Sequence, residues 1–183
     1  KVYNFLAWVF LFFTLHMSLE AHMIYFLPKQ AKQGKDALLQ GIEKAKTSID
    51  VALYAFTDRD LAKALRMASK RGVVVHLVLD ASQNAANAQS VMGDLAKLYR
   101  VKVCLLSGQK SKAYNRYTQQ YIGLMHLKLM IVDKTLMFSG SANWSTNSFK
   151  NNYEILSVDD SPEILKNANS FYQELLAKCP GFL

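Results

Sequence analysis

The chain has 183 residues, 51% of them hydrophobic, with 22 Lys and Arg against 14 Asp and Glu, a formal net charge of +8. That length and apolar content exclude a disordered tail and are enough for one domain with its own core. The basic excess speaks of partners rather than fold: nucleic acid and anionic membrane surface both suit it, and charge alone does not separate them from a soluble protein with a basic surface.

Residues 1–21 differ from the rest. Lys1 precedes an apolar run over residues 5–15, broken only by Thr14, and Ser18, Leu19, Glu20 and Ala21 close it. A basic start, a short apolar stretch and a small-residue end make a secretory signal. The run is short of the roughly 20 apolar residues that span a bilayer comfortably. Leu19 stands where a cut after Ala21 prefers a small residue, so a retained short membrane anchor is the alternative, and membrane association would follow from it. Either reading puts the body of the protein, residues 22–183, outside the cytoplasm: in the periplasm, at the cell surface or on the outer side of the inner membrane.

Along that body, residues 24–27 form a short apolar run that Pro28 closes. Residues 35–46 have helical spacing, with Leu38, Leu39, Ile42 and Ala45 on one face. Over residues 48–55, Ile49, Val51 and Leu53 alternate with Asp50, Ala52 and Tyr54, as in a strand. Thr57 or Asp58 then caps a helix that runs to about Arg71, where Gly72 stops it. Residues 73–79, β-branched and apolar, read as a buried parallel strand. A helix around residues 87–99 leads to a strand over residues 101–106. That strand contains Cys104; with Cys179 it makes an even count, which in an exported protein permits a disulfide, while a buried thiol is equally ordinary. The cysteines and histidines show no zinc-ligand spacing.

Residues 107–123 read as a long polar loop. Strands follow over residues 124–132 and 136–139, joined by a turn at Asp133-Lys134, and another covers residues 153–158. Ser161-Pro162-Glu163 opens a last helix, with proline at its first position, that runs to about Ala177. The alternation predicts an α/β fold: a mixed, mostly parallel sheet with helices on both faces. There is no linker and no internal repeat.

The chemistry concentrates in two neighbouring segments: Met125-His126-Leu127-Lys128, running on to Asp133, and Gly140-Ser141-Ala142-Asn143. If His126 lies on a strand, strand alternation points it and Lys128 to one face. Ser141 and Asn143 share the same alternation. A cation and neutral donors converging on one point make an anion site. His76 is read instead as a satisfied core or edge histidine.

The spacing His-x-Lys, four residues, Asp, then six residues and Gly-Ser-x-Asn resembles the signature of the phospholipase D superfamily. The short chain, the single copy of the motif, and Asn143-Trp144-Ser145 followed by Phe149-Lys150-Asn151-Asn152 and Glu154 resemble the small bacterial endonucleases of that superfamily, over essentially residues 24–178. The resemblance implies a phospholipase D-like fold and a homodimer, because two motif copies build one active site and this chain holds one. It implies that one His126 attacks phosphorus to form a phosphohistidine, while the partner's copy protonates the leaving oxygen and then activates water. It further implies that Lys128 and Asn143 hold the non-bridging oxygens, that Ser141 adds a hydrogen bond, and that Glu154 orients the histidine. Asp133 is read as mainly structural. No metal or other cofactor is required.

The motif does not choose the phosphodiester. Within residues 107–123, Lys110, Lys112 and Arg116 are interleaved with Tyr114, Tyr117 and Tyr121, with no acidic residue. Cations track a phosphate backbone and aromatics stack on bases, which favours single-stranded nucleic acid; a merely solvated basic loop is the bland reading. The leading expectation is a metal-independent endonuclease on DNA, with RNA chemically competent. A phospholipid hydrolase of cardiolipin type and a surface DNA-binding protein for uptake are the alternatives.

Overall fold

The computed structural model describes residues 22–116 and 119–183. The leader reading for residues 1–21 and the role assigned to Tyr117 lie outside the described residues. The elements are β1 (Met23–Leu27), α1 (Ala31–Lys44), β2 (Ser48–Leu53), α2 (Arg59–Lys70), β3 (Val74–Asp80), α3 (Ala81–Asn84), α4 (Met92–Ala96), β4 (Val101–Leu106), β5 (Lys110–Asn115), β6 (Gln120–Ile122), β7 (Lys128–Val132), β8 (Leu136–Gly140), α5 (Thr146–Lys150), β9 (Glu154–Asp159) and α6 (Pro162–Ala177).

Seven strands form one sheet in the order β1-β9-β8-β7-β2-β3-β4, and β5 and β6 pair apart from it. The fold is mixed α/β, but the parallel character stops at β2, β3 and β4. The other four pairings are antiparallel: β2 with β7, β7 with β8, β8 with β9 and β9 with β1. The expectation of a mostly parallel sheet is thus corrected. Parallel neighbours need a crossover long enough for a helix, which α2 supplies between β2 and β3. The link from β7 to β8 is too short for that and makes a hairpin, with Asp133 and Lys134 at φ 50° and 61°.

Helices cover both faces. On one, Leu38 and Ile42 of α1 and Leu61 and Leu65 of α2 pack on Ile49, Val51 and Leu53 of β2 and Val75, Leu77 and Leu79 of β3. The period-2 pattern of β2 and β3 thus meets the helical stripes that the sequence shows. On the other face α6 lays Leu165, Tyr172 and Leu175 against Ala52, Val78, Leu129 and Ile131. Ala52 is small enough to admit the fully buried Tyr172, whose hydroxyl donates to the carbonyls of Val51 (3.2 Å) and His76 (3.0 Å). Close by, His76 Nδ1 pairs with the buried Asp50 carboxylate at 2.9 Å, so this histidine is satisfied within the fold. A Cys104–Cys179 disulfide ties β4 to the end of α6 across a separation of 75 residues.

Three expectations change locally. The helix foreseen around residues 87–99 shrinks to α4, because Asn87 and Ser90 turn their side chains onto backbone N–H groups at Gln89 and Met92. The polar loop over residues 107–123 contains the β5–β6 hairpin, closed at its base by Gly108 and Gly123. The strand foreseen from residue 124 begins at Lys128, so His126 precedes it. The short helices α3 and α5 were not expected, while the other expected elements lie close to their predicted places: Asp58 caps α2 by accepting from the N–H groups of Asp60 and Leu61, and Gly72 ends that helix with φ 99°.

Candidate active site

The site forms where the C-terminal end of β2 meets the start of β7. Tyr54, just past β2, donates its N–H to the Leu127 carbonyl at 2.9 Å. Met125 donates its N–H to Asp80 Oδ2 at 2.8 Å. His126 is therefore tied on both sides although it lies outside the strand. Its side chain is exposed, while the Lys128 stem is buried and the residue is only 8% exposed. Lys128 Nζ donates to the His126 carbonyl at 2.9 Å and stands 3.1 Å from Nδ1 and 3.2 Å from Nε2 of the same residue. The two side chains thus meet, although not through strand alternation, since His126 lies outside β7.

The Tyr54 ring lies beneath this pair, its centroid 4.5 Å from that of His126 and 5.0 Å from Lys128 Nζ. Burial and the Lys128 ammonium hold the His126 imidazole below its ordinary value of 6.5, against the opposing pull of Asp80 and Glu154. Burial likewise lowers Lys128, again opposed by Glu154 and Asp80. The arrangement favours a neutral imidazole beside an ammonium: a nucleophile that keeps its lone pair, next to a cation that draws an anion to it.

Gly140 brings the next segment in. A side chain there would collide with the Ile155 backbone, so β8 and β9 approach closely only because the residue is glycine. Ser141 then donates its hydroxyl to Glu154 Oε2, and its Oγ accepts the Ile155 N–H at 3.1 Å. Asn152 Nδ2 reaches Glu154 Oε1 at 3.2 Å. The hydrogen bonds of Glu154 therefore go to Ser141 and Asn152, and it acts on His126 through its charge. Asn143 is half-buried and its Oδ1 is buried without a hydrogen-bond partner. An unpaired buried amide oxygen costs roughly 1–3 kcal/mol, a cost more often met at functional sites than in cores.

Asp133 lies at the opposite end of β7. Its carboxylate accepts from the N–H groups of Lys46, Thr47 and Ser48 and from the Thr47 hydroxyl, at 2.7–3.0 Å. Burial would raise its pKa, but these hydrogen bonds outweigh burial and lower it. It clasps the β7–β8 turn to the start of β2 and takes no part in the site. Lys110, Lys112, Tyr114 and Arg116 are exposed on the β5–β6 arm, which leads through residues 123–125 to His126. Tyr114 makes an edge contact with Tyr121, the ring centroids 5.5 Å apart. A groove of about 560 Å³, walled by Leu106, Leu124, Leu127, Phe171 and Leu175, opens beside His126.

Sequence reasoning did not single out Tyr54 or Asp80. Both stand at or just beyond the C-terminal ends of parallel strands, where open α/β sheets place functional groups, and that position was the available signal. Among the described residues no helix is long and apolar enough to cross a membrane.

Comparison with known proteins matches residues 38–176 to the family described as "Cardiolipin synthase, PLD-like domain". Mitochondrial cardiolipin hydrolase of Homo sapiens is 30% identical over 129 residues, 70% of this chain and 45% of that protein. The chain thus spans about half the length of such curated relatives. Among solved structures, NucT from Helicobacter pylori is similar with a TM-score of 0.83 and 39% identity, over 89% of this chain and 99% of that one. The phospholipase D family member Nuc from Salmonella typhimurium shares the fold, with a TM-score of 0.67 and 24% identity, over 88% of this chain and 97% of that one. The matched region contains the whole His126–Lys128 and Ser141–Asn143 constellation, and the chain belongs to the PLD-like family.

Proposed function

We propose that this chain is a metal-independent endonuclease that hydrolyses phosphodiester bonds of DNA, preferring single strands, through a covalent phosphohistidine on His126. The observation that carries the reading is the exposed His126 imidazole within 3.2 Å of the largely buried Lys128 ammonium. Attack by Nε2 or Nδ1 on phosphorus would expel one ester oxygen, and water would then displace the histidine from the phosphoryl group. Lys128 and the Asn143 amide would steady the non-bridging oxygens as charge builds on them. Ser141 would complete that cradle, with Glu154 balancing its charge.

One imidazole cannot be nucleophile and general acid in the same step, so the reading includes a homodimer in which a second His126 protonates the leaving oxygen. Ile24, Phe26 and Ile155, exposed on the outer strands beside Glu154, support an association of this kind. The Cys104–Cys179 bridge supports an exported protein, because such bonds persist in oxidising compartments.

The β5–β6 arm favours nucleic acid. Its cations and tyrosines have the chemistry of a groove that follows one strand, and they stand directly ahead of His126 in the chain. The apolar groove beside His126 favours a second reading, hydrolysis of a cardiolipin-type phospholipid with an acyl chain in that groove. The test sets labelled single-stranded DNA, matched duplex and cardiolipin vesicles side by side in chelator. Cleavage of the single strand ahead of both others is the expected result. Equal rates on single strand and duplex would remove the strand preference, faster lipid turnover would favour the second reading, and binding of DNA without cleavage would make the protein a DNA-binding one.

A further inference from the structure

We propose that Asp80 is a positioning residue for His126, holding the segment that carries the imidazole and setting a negative charge against the His126–Lys128 pair from the β3 side. The proposal rests on the reading of His126 as the nucleophile.

His126 lies outside β7, so the sheet ladder does not fix it. Two hydrogen bonds flank it instead: Leu127 accepts from the Tyr54 N–H, and Met125 donates its N–H to Asp80 Oδ2 at 2.8 Å. The second joins residues 45 apart in the chain. Asp80 itself is 1% exposed. Its other oxygen accepts from the Ser82 hydroxyl and, at 3.1 Å, from the Gln83 N–H. Among the described residues no ion pair neutralises it.

A cap for α3, a helix of four residues, needs no carboxylate; a serine or asparagine there would serve. A carboxylate buried without a cation is costly, and here three hydrogen bonds offset that cost. That charge faces the site. The groups acting on His126 are Lys128 on β7, Glu154 on β9 and Asp80 on β3, with the Tyr54 ring against the imidazole. Asp80 and Glu154 each lie two strands from β7, on opposite sides of it.

The test compares wild type with Asp80→Asn by NMR titration of the His126 imidazole and by kcat on bis(p-nitrophenyl) phosphate. Circular dichroism and Tm establish that the variant is folded. Loss of the charge is expected to lower the His126 pKa further. Loosening the Met125 anchor should lower kcat by about 10²-fold, the scale of a misplaced reacting group. A folded variant with an unmoved His126 titration, or with wild-type kcat, would overturn the proposal. The titration needs no substrate, so it reads on Asp80 even if the nuclease reading fails. Should Asp80→Asn not fold, Asp80→Glu keeps the charge and displaces it by one methylene. Its kcat is expected to fall, and wild-type turnover would overturn the proposal.

Discussion

The central strands and the β5–β6 arm hold similar residue types in different settings, which under the proposed function would serve different ends. In β7 every residue is buried, Lys128 among them, and His126 is tied at both of its neighbours. On the arm the lysines and Arg116 are exposed, and among the described residues β5 pairs only with β6. A buried lysine with a fixed stem acts at one point, as chemistry requires. Exposed lysines on a separate hairpin offer charge over a surface, as capture of a polymer requires. Changes to the first region should therefore strike kcat, and changes to the second KM and its salt dependence.

The largest separation is expected from Asn143→Ala. Loss of one charge-stabilising amide should lower kcat by about 10²–10³-fold with little change in KM, read by steady-state kinetics. A pure KM effect would move Asn143 to the binding side. Next comes the arm. Replacing Lys110, Lys112 and Arg116 together by alanine should leave kcat unchanged and flatten the dependence of log affinity on log salt by about 2, at roughly 0.7 per cation lost on single strands. An unaltered salt slope would leave the arm a solvated surface. Tyr114→Ala should weaken binding by about 1 kcal/mol if one base stacks there, measured by fluorescence anisotropy with a short oligonucleotide.

Burial and Lys128 hold His126 below its ordinary value of 6.5. Phosphohistidine formation needs one His126 neutral and its partner protonated, so its single-turnover rate should rise at acid pH as neutral imidazole is gained through that lowered value and fall again as the partner's proton is lost, a bell with its acid limb centred below 6.5. A rise centred above that value would contradict the assignment. The smallest effect on activity is expected at Asp133. Asp133→Ala removes a carboxylate held by four donors and should lower stability by about 2 kcal/mol in urea unfolding, with kcat nearly unchanged. Its pKa is lowered in the fold, so the stability it contributes is present above its unfolded pKa and is lost as pH falls through the folded value.

The elements written as apolar alternation or helical stripes were legible in the sequence: β2, β3 and β4, α1 and α2, and the proline-opened α6. Strand direction was not. Period-2 alternation is the same for a parallel and an antiparallel neighbour, so the length of the β7–β8 link had to decide it. The β5–β6 hairpin escaped because nearly all of its residues are exposed and show no alternation between polar and apolar. At the site, the residues of the motif were legible because they sit close together in the chain. Asp80 and Tyr54 reach His126 only through the fold, 46 and 72 positions away, and nothing in their own neighbourhoods says so. The Cys104–Cys179 bridge was undecided for the same reason.

The most direct test of the central claim is cleavage of a labelled single-stranded oligonucleotide in excess chelator by wild type and by His126→Ala. Undiminished cleavage by wild type in chelator is expected, with a loss of about 10³-fold or more in the variant. Wild-type activity that vanishes in chelator would contradict the mechanism, and activity that survives the substitution would contradict the site.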